Sequence, residues 1–214
     1  MRGYGDCLWS TYGHHHPAFQ RAAATASKLK QHIGQGMEAA EAFTSMLRVN
    51  PGDLDALRMR GAQYRDLRMF REAEGDFIAL EQLLGGDRAA VAEAKRELGA
   101  VFLGSGDHGR ADVVLETAME LEEEVFSQRG VALTHESIGT LRTAQRYWKK
   151  AKASYEQSRV IFDLLEDRES VTRVDLLLSR LKDARDRELA RRRAKQKHYT
   201  AGAVLIRESV PILH

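Results

Sequence analysis

The stretch that decides the fold is residues 99–118, GAVFLGSGDHGRADVVLETA. Gly99 and Phe102 lie before a turn-forming run, Gly104-Ser105-Gly106, and His108, Ala111, Leu115 and Ala118 follow it. Glycine supplies the positive-φ backbone that lets a chain reverse direction between two helices. The stretch therefore predicts a helix, a tight turn and a second helix packed back on the first.

The same pattern recurs. Gly61, Tyr64, Phe70, Ala73 and Phe77 make the preceding copy, and Gly139, Trp148, Ala151 and Tyr155 the following one. In each, the glycine stands twelve positions before the alanine, and the copies are offset by 38 and then 40 residues. A fainter copy comes earlier, with Ser27 at the small position, then Ala39, Phe43, Met46 and Pro51. Repetition at this period means stacked units, none of which buries its apolar face alone. The glycine is expected where two helices cross and a side chain would hold them apart. The alanine is expected to do the same on the second helix, with the aromatics filling the space around the crossing.

This arrangement resembles the tetratricopeptide repeat, a helix-turn-helix unit with a small residue, an aromatic, a turn, then Ala and Phe on the second helix. Asn50-Pro51 fits it too, since a proline commonly closes the unit. The resemblance covers residues 18–165. The units are longer than the usual period of about 34 residues. Arg68 and Arg146 stand where a turn glycine is common, and Arg142 replaces an aromatic. The resemblance implies an all-α, right-handed superhelical solenoid of about four helical hairpins closed by a C-terminal capping helix.

Start and stop signals place the elements. Helices are expected in pairs at 18–33 with 37–49, 54–67 with 70–83, 88–104 with 108–125, and 129–144 with 147–165. Asp53 and Asp87 are expected N-caps, Gly34-Gln35-Gly36 a turn, and Gly85-Gly86 a break between units. Residues 1–16, rich in Gly, Tyr and His, read as an extended arm ahead of a repeat domain at 17–169. A ninth helix is expected at 170–197. Its Val174, Leu177, Leu178 and Leu181 share one face and would cover the end of the last repeat. The tail, 198–214, carries Ala203-Val204-Leu205-Ile206 and reads as a strand or an extended docking segment.

Composition narrows the function classes. The chain has 214 residues, a net charge of +2, three prolines and a single cysteine, Cys7. One cysteine forms no internal disulfide, which fits a reducing compartment. No apolar run approaches the roughly 20 residues of a membrane span, and no basic start with an apolar stretch marks a secretory signal. A cytoplasmic location is expected. The charge is uneven: residues 171–197 hold ten Lys/Arg against four Asp/Glu, while the remainder holds 23 against 27.

No catalytic motif is visible: no Gly-x-Ser-x-Gly, no phosphate-cradling loop ending in Lys-Ser/Thr, no His-Glu-x-x-His. The expectation is a protein that is not an enzyme, with no cofactor and no metal. His14-His15-His16 are adjacent and lack the paired spacing of a zinc site, so they read as a polar arm. His108 stands at an aromatic repeat position and reads as packing. Glu122-Glu123-Glu124 are consecutive, so they are expected to fan around a helix into solvent.

Two surfaces remain as binding candidates. In the tetratricopeptide architecture the first helices of successive units line a groove. Counting the small residue as position eight, positions two, five, nine and twelve face it. They are Asp55, Arg58, Ala62 and Arg65, then Glu93, Arg96, Ala100 and Leu103, then Leu133, Glu136, Thr140 and Thr143. Such a groove suits an extended peptide or a helix of mixed charge, though the same residues also read as ordinary exposed helix positions. The Lys/Asn/Lys/Arg clamp that some members use for chaperone tails is not matched, because Ala62, Met59 and Glu97 occupy its positions. The second surface is the basic run with Arg191, Arg192, Arg193, Lys195 and Lys197. It reads first as a solvated helix end whose charge complements the dipole, then as a contact for an acidic protein, and last for nucleic acid.

The expected function is a non-enzymatic adaptor or scaffold that binds an extended or helical protein segment through the groove. The alternative is a structural subunit of a large ciliary or cytoskeletal assembly held through its termini. RNA binding ranks below both, because the repeats are net acidic and phosphate contact needs Lys/Arg. Neither nucleic acid nor membrane is expected as a partner.

Overall fold

The computed structural model describes the backbone of residues 17–208, with side-chain surroundings for 33–194 and 196. The expected arm at 1–16, including Cys7 and the histidine triple, lies outside the described residues, as do 209–214 of the tail. Every described element is an α-helix. They are α1 (Pro17–Val49), α2 (Leu54–Asp66), α3 (Phe70–Leu84), α4 (Arg88–Ser105), α5 (His108–Glu124), α6 (Gln128–Ala144), α7 (Trp148–Leu164) and α8 (Arg168–Glu208). They fall into two compact units that divide between Gly85 and Gly86.

In the first unit α2 packs against both α1 and α3. Its core is Ala40, Leu47, Ala56, Leu57, Ala73, Phe77 and Leu80. The Asn50–Asp53 turn starts α2: Asn50 Oδ1 accepts from the Gly52 N–H at 3.3 Å, and Asp53 caps the helix by accepting from the Ala56 N–H at 3.0 Å. Arg60 ties all three helices together. It donates two bonds to the Asp76 carboxylate, at 2.9 and 2.6 Å, and a third to Thr44 Oγ1 at 3.1 Å. The paired carboxylate holds its guanidinium above the ordinary arginine pKa.

The expected turn at Gly34-Gln35-Gly36 does not form. α1 runs through it without a break, so the first expected hairpin is one long helix. Two glycines lower helix propensity by about 1 kcal/mol each, which weakens a helix without forcing it to turn. Gly36 has another use: a Cβ there would lie 3.0 Å from Leu67 Cδ2, beyond the end of α2. The glycine allows close approach, and the described chain holds three helical hairpins rather than four.

The second unit advances with a fixed cadence. α4 packs on α5, α5 on α6, α6 on α7, α7 on α8, and α4 also meets α6. The turns between these helices have positive φ at Gly106, Phe126, Arg146 and Glu166, each twenty residues after the last. All four turns use the same pair of hydrogen bonds. At the first, the Gly106 N–H donates to Leu103 O and the Asp107 N–H to Phe102 O; the Arg146 N–H to Thr143 O and the Tyr147 N–H to Arg142 O repeat it. This motif satisfies the last carbonyls of one helix and places the next N-cap in a single step. Asp107, Ser127 and Asp167 accept from the N–H three residues on, at 3.1, 3.1 and 3.0 Å. The α2–α3 turn in the first unit is of the same kind, with Arg68 at φ 62°.

The hairpin crossings are built around the glycines, with large side chains of the pattern filling the space beside them. Ala73, Ala111 and Ala151 are fully buried. The atoms nearest a Cβ at each glycine belong instead to the residue sixteen positions on. A Cβ at Gly61 would lie 3.1 Å from the Phe77 ring, at Gly99 2.7 Å from Leu115 Cδ2, and at Gly139 2.6 Å from the Tyr155 ring. The large side chain one helical turn beyond the alanine fills the gap that the glycine leaves.

α8 starts two residues before the expected 170 and continues to Glu208, so residues 198–208 are helical and not a strand. Val174 and Leu181 close the core with Ala132, Ala151, Tyr155 and Phe162, and Leu177 and Leu178 pack beside them, as the apolar stripe predicts.

Candidate functional site

The repeat count nominates the face shared by α4 and α6. A cleft of about 290 Å³ opens there, lined by Glu93 and Arg96 of α4, Arg129, Gly130 and Leu133 of α6, and Glu122 from the end of α5. Glu93, Arg96 and Leu133 are thus brought to one hollow from positions forty and fewer residues apart.

The floor of this cleft is a buried ion pair. Glu122 is only 2% exposed and pairs with Arg96. Its carboxylate occupies the space where a Cβ on residue 130 would stand, so Gly130 is what admits it. Gly130 sits in the first turn of α6, where the positive end of the helix favours a nearby carboxylate. The expected fan of three solvated glutamates is therefore corrected. Glu123 and Glu124 are exposed, Glu124 pairing with Arg88, while Glu122 points inward. One repeat later the equivalent of Glu122 is Phe162, fully buried, and the equivalent of Gly130 is Ser170. A forty-residue comparison of the two copies carries the signal: a small residue in both, with an acid eight positions before it in one and an aromatic in the other.

Glu136 and the threonines make bonds within the unit. Glu136 takes the Arg173 guanidinium of α8 at 3.0–3.2 Å. Thr140 Oγ1 donates to Glu136 O at 3.0 Å and lies 3.1 Å from the Tyr155 hydroxyl; Thr143 Oγ1 donates to Gly139 O at 2.8 Å. They hold the α6–α7 crossing and the α6–α8 contact. Leu103 is half-buried near the end of α4. In the first unit Asp55 and Arg58 pair at 3.4 Å, and Arg65 pairs with Asp66 at 3.3 Å, on the surface of α2. Arg142, in place of an aromatic, makes two bonds to Asp112 of α5 at 2.9 and 2.7 Å.

At the rim of the cleft Arg129 donates to Asp167 at 2.6 Å, linking α6 to the start of α8. Asp167 also accepts from the Ser170 N–H and hydroxyl, and these bonds, together with Arg129, hold its carboxyl below the ordinary aspartate pKa. On the opposite side Glu122 borders a second hollow of about 330 Å³, with Phe126, Val131, Ile161 and Leu164. Phe126 is 90% exposed there.

The basic run lies on the distal part of α8. Arg191, Arg192 and Arg193 are exposed, Arg192 pairing with Glu188; Lys195 and Lys197 are on the same helix with side chains outside the described residues. Among the described residues no group of His, Cys, Asp and Glu is arranged to hold a metal ion, and no helix is long and apolar enough to cross a membrane. A scan against protein-family models gives no match for this sequence, and a comparison with curated proteins gives none either.

Proposed function

We propose that this chain is a non-enzymatic, protein-binding adaptor of the tetratricopeptide kind, holding a segment of a partner along the face of α4 and α6. The observation that carries the reading is the cleft. Positions chosen by repeat count, Glu93, Arg96 and Leu133, line one hollow with Arg129 at its edge. The hollow offers the carboxylates of Asp87, Glu93 and the paired Glu122, two guanidinium groups and an apolar wall. Arg96 is pinned by Glu122 and Arg129 by Asp167. Fixed guanidinium groups lose little entropy when a ligand binds, which favours a rigid scaffold over an adaptable one.

Selection of displayed random peptides on the full chain tests this. Enriched peptides are expected to lose binding to the double variant Glu93→Arg/Arg129→Glu, which reverses the charge pattern of the cleft. A helix-rich circular dichroism spectrum must be retained. No enrichment, or enrichment indifferent to the reversal, would remove the reading.

A further inference from the structure

The turn between α6 and α7 and the middle of α8 border a further, larger cleft. It measures about 690 Å³ and is lined by Arg146, Trp148, Arg187, Glu188, Arg191 and Arg192. That lies within the roughly 300–1,000 Å³ of ordinary ligand clefts. Ala184, Arg187, Glu188 and Arg191 recur at helical spacing. They continue the side of α8 that carries Leu177 and Leu181, where the helix still packs on α7. One stripe thus changes from apolar to basic as α8 passes Trp148.

We propose that this cleft docks an acidic protein segment with carboxylates at alternate residues. Four arginines face a single glutamate. Glu188, only 13% exposed, is engaged by Arg192 and by Arg146 at 3.6 Å. Arg192 donates to it and Arg146 stands near it, and Arg187 and Arg191 have no ion-pair contact with it. Arg187 Nε donates to Asp183 O at 3.1 Å, which orients the rest of that guanidinium.

Arg187 and Arg191 are one helical turn apart, about 6 Å along the axis. Alternate side chains of an extended strand share a face at about 6.6–6.8 Å, so carboxylates two residues apart match the pair. Arginine binds carboxylate through two parallel N–H donors, which sets direction as well as charge. Trp148 supplies the apolar wall, its position fixed by packing against the core. A continuous phosphodiester chain fits less well, because its evenly spaced charges must pass over Glu188.

The cleft shares no lining residue with the α4–α6 face, so this inference stands or falls apart from the reading above. The test is fluorescence anisotropy of the full chain with a labelled nine-residue peptide alternating Glu and Ser. Serine-only peptide and a nine-nucleotide oligouridylate are the comparison probes. Saturable binding is expected for the acidic peptide, weakening as salt is raised from 50 to 300 mM. The variant Arg187→Gln/Arg191→Gln should weaken it at least about tenfold, whereas Arg168→Gln, outside the cleft, should leave it unchanged. Both arginines of the pair are exposed, so the fold is expected to persist, and a thermal melt checks it. Absence of binding, equal loss with Arg168→Gln, or tighter binding of oligouridylate than of the peptide would overturn the inference.

Discussion

Among the described residues the two buried carboxylates, Glu122 and Asp76, are each matched by an arginine. Glu122 has Arg96 and the first turn of α6, and Asp76 has the fork of Arg60. Breaking such a pair leaves one charge stranded and costs about 3–5 kcal/mol, so Arg96 serves the fold as well as the cleft. His135 is a group whose protonation bears on stability near neutral pH. It sits half-buried in a shallow hollow with Glu156, Val160 and Ile161, and burial lowers its pKa, with Glu123 opposing. The unfolded chain therefore takes up this proton at a higher pH than the folded one. The contribution of His135 is complete above about 6.5 and is lost as pH falls below that value. Denaturant titrations at pH 7.5 and 5.5 are expected to show a smaller loss of stability in His135→Gln than in the parent. An equal loss would contradict the assignment.

At the scale of elements, helix ends decide the architecture. Asp53 and Asp87 were legible as caps in the sequence because a short acid before a helical run has one evident use. The turns at Arg68, Phe126, Arg146 and Glu166 were harder to read, since none carries the glycine that advertises positive φ. In the other direction, the glycines at 34 and 36 look like a turn and are helical. Gly36 lies close to Leu67, a contact with a residue distant in sequence, whereas the turns close on a local pair of hydrogen bonds that needs no glycine. Phe126 offers the cleanest test. Its φ is 54° and its side chain is almost wholly exposed. A left-handed backbone costs a non-glycine residue about 1–2 kcal/mol, and little burial is at stake. Phe126→Gly is expected to stabilise the protein by about 1 kcal/mol in chemical denaturation. A loss of stability would mean that the ring contributes contacts that outweigh the strain.

At the scale of the molecule, the repeated pattern announced the hairpins and the aromatics, Phe77 and Tyr155, that fill two of the crossings, while Leu115 takes that place in the third. The alanine twelve residues on is buried, yet the gap above each glycine is taken by Phe77, Leu115 or Tyr155. The candidate cleft was half legible: Glu93, Arg96 and Leu133 followed from counting, whereas Glu122 and Arg129 required the third dimension. The shared cause is that two copies of one pattern use a given position differently, as Glu122 and Phe162 do. The central claim is that each hairpin closes because a missing side chain admits a large one sixteen residues later. A double-mutant cycle between Gly99→Ala and Leu115→Ala measures it. In the parent, the added methyl meets Leu115 at 2.7 Å, and overpacking is expected to outweigh the roughly 1 kcal/mol gain in helix propensity. With Leu115 truncated, the same Gly99→Ala change should stabilise the protein, giving a coupling of about 2 kcal/mol. Equal shifts in the two backgrounds would contradict it.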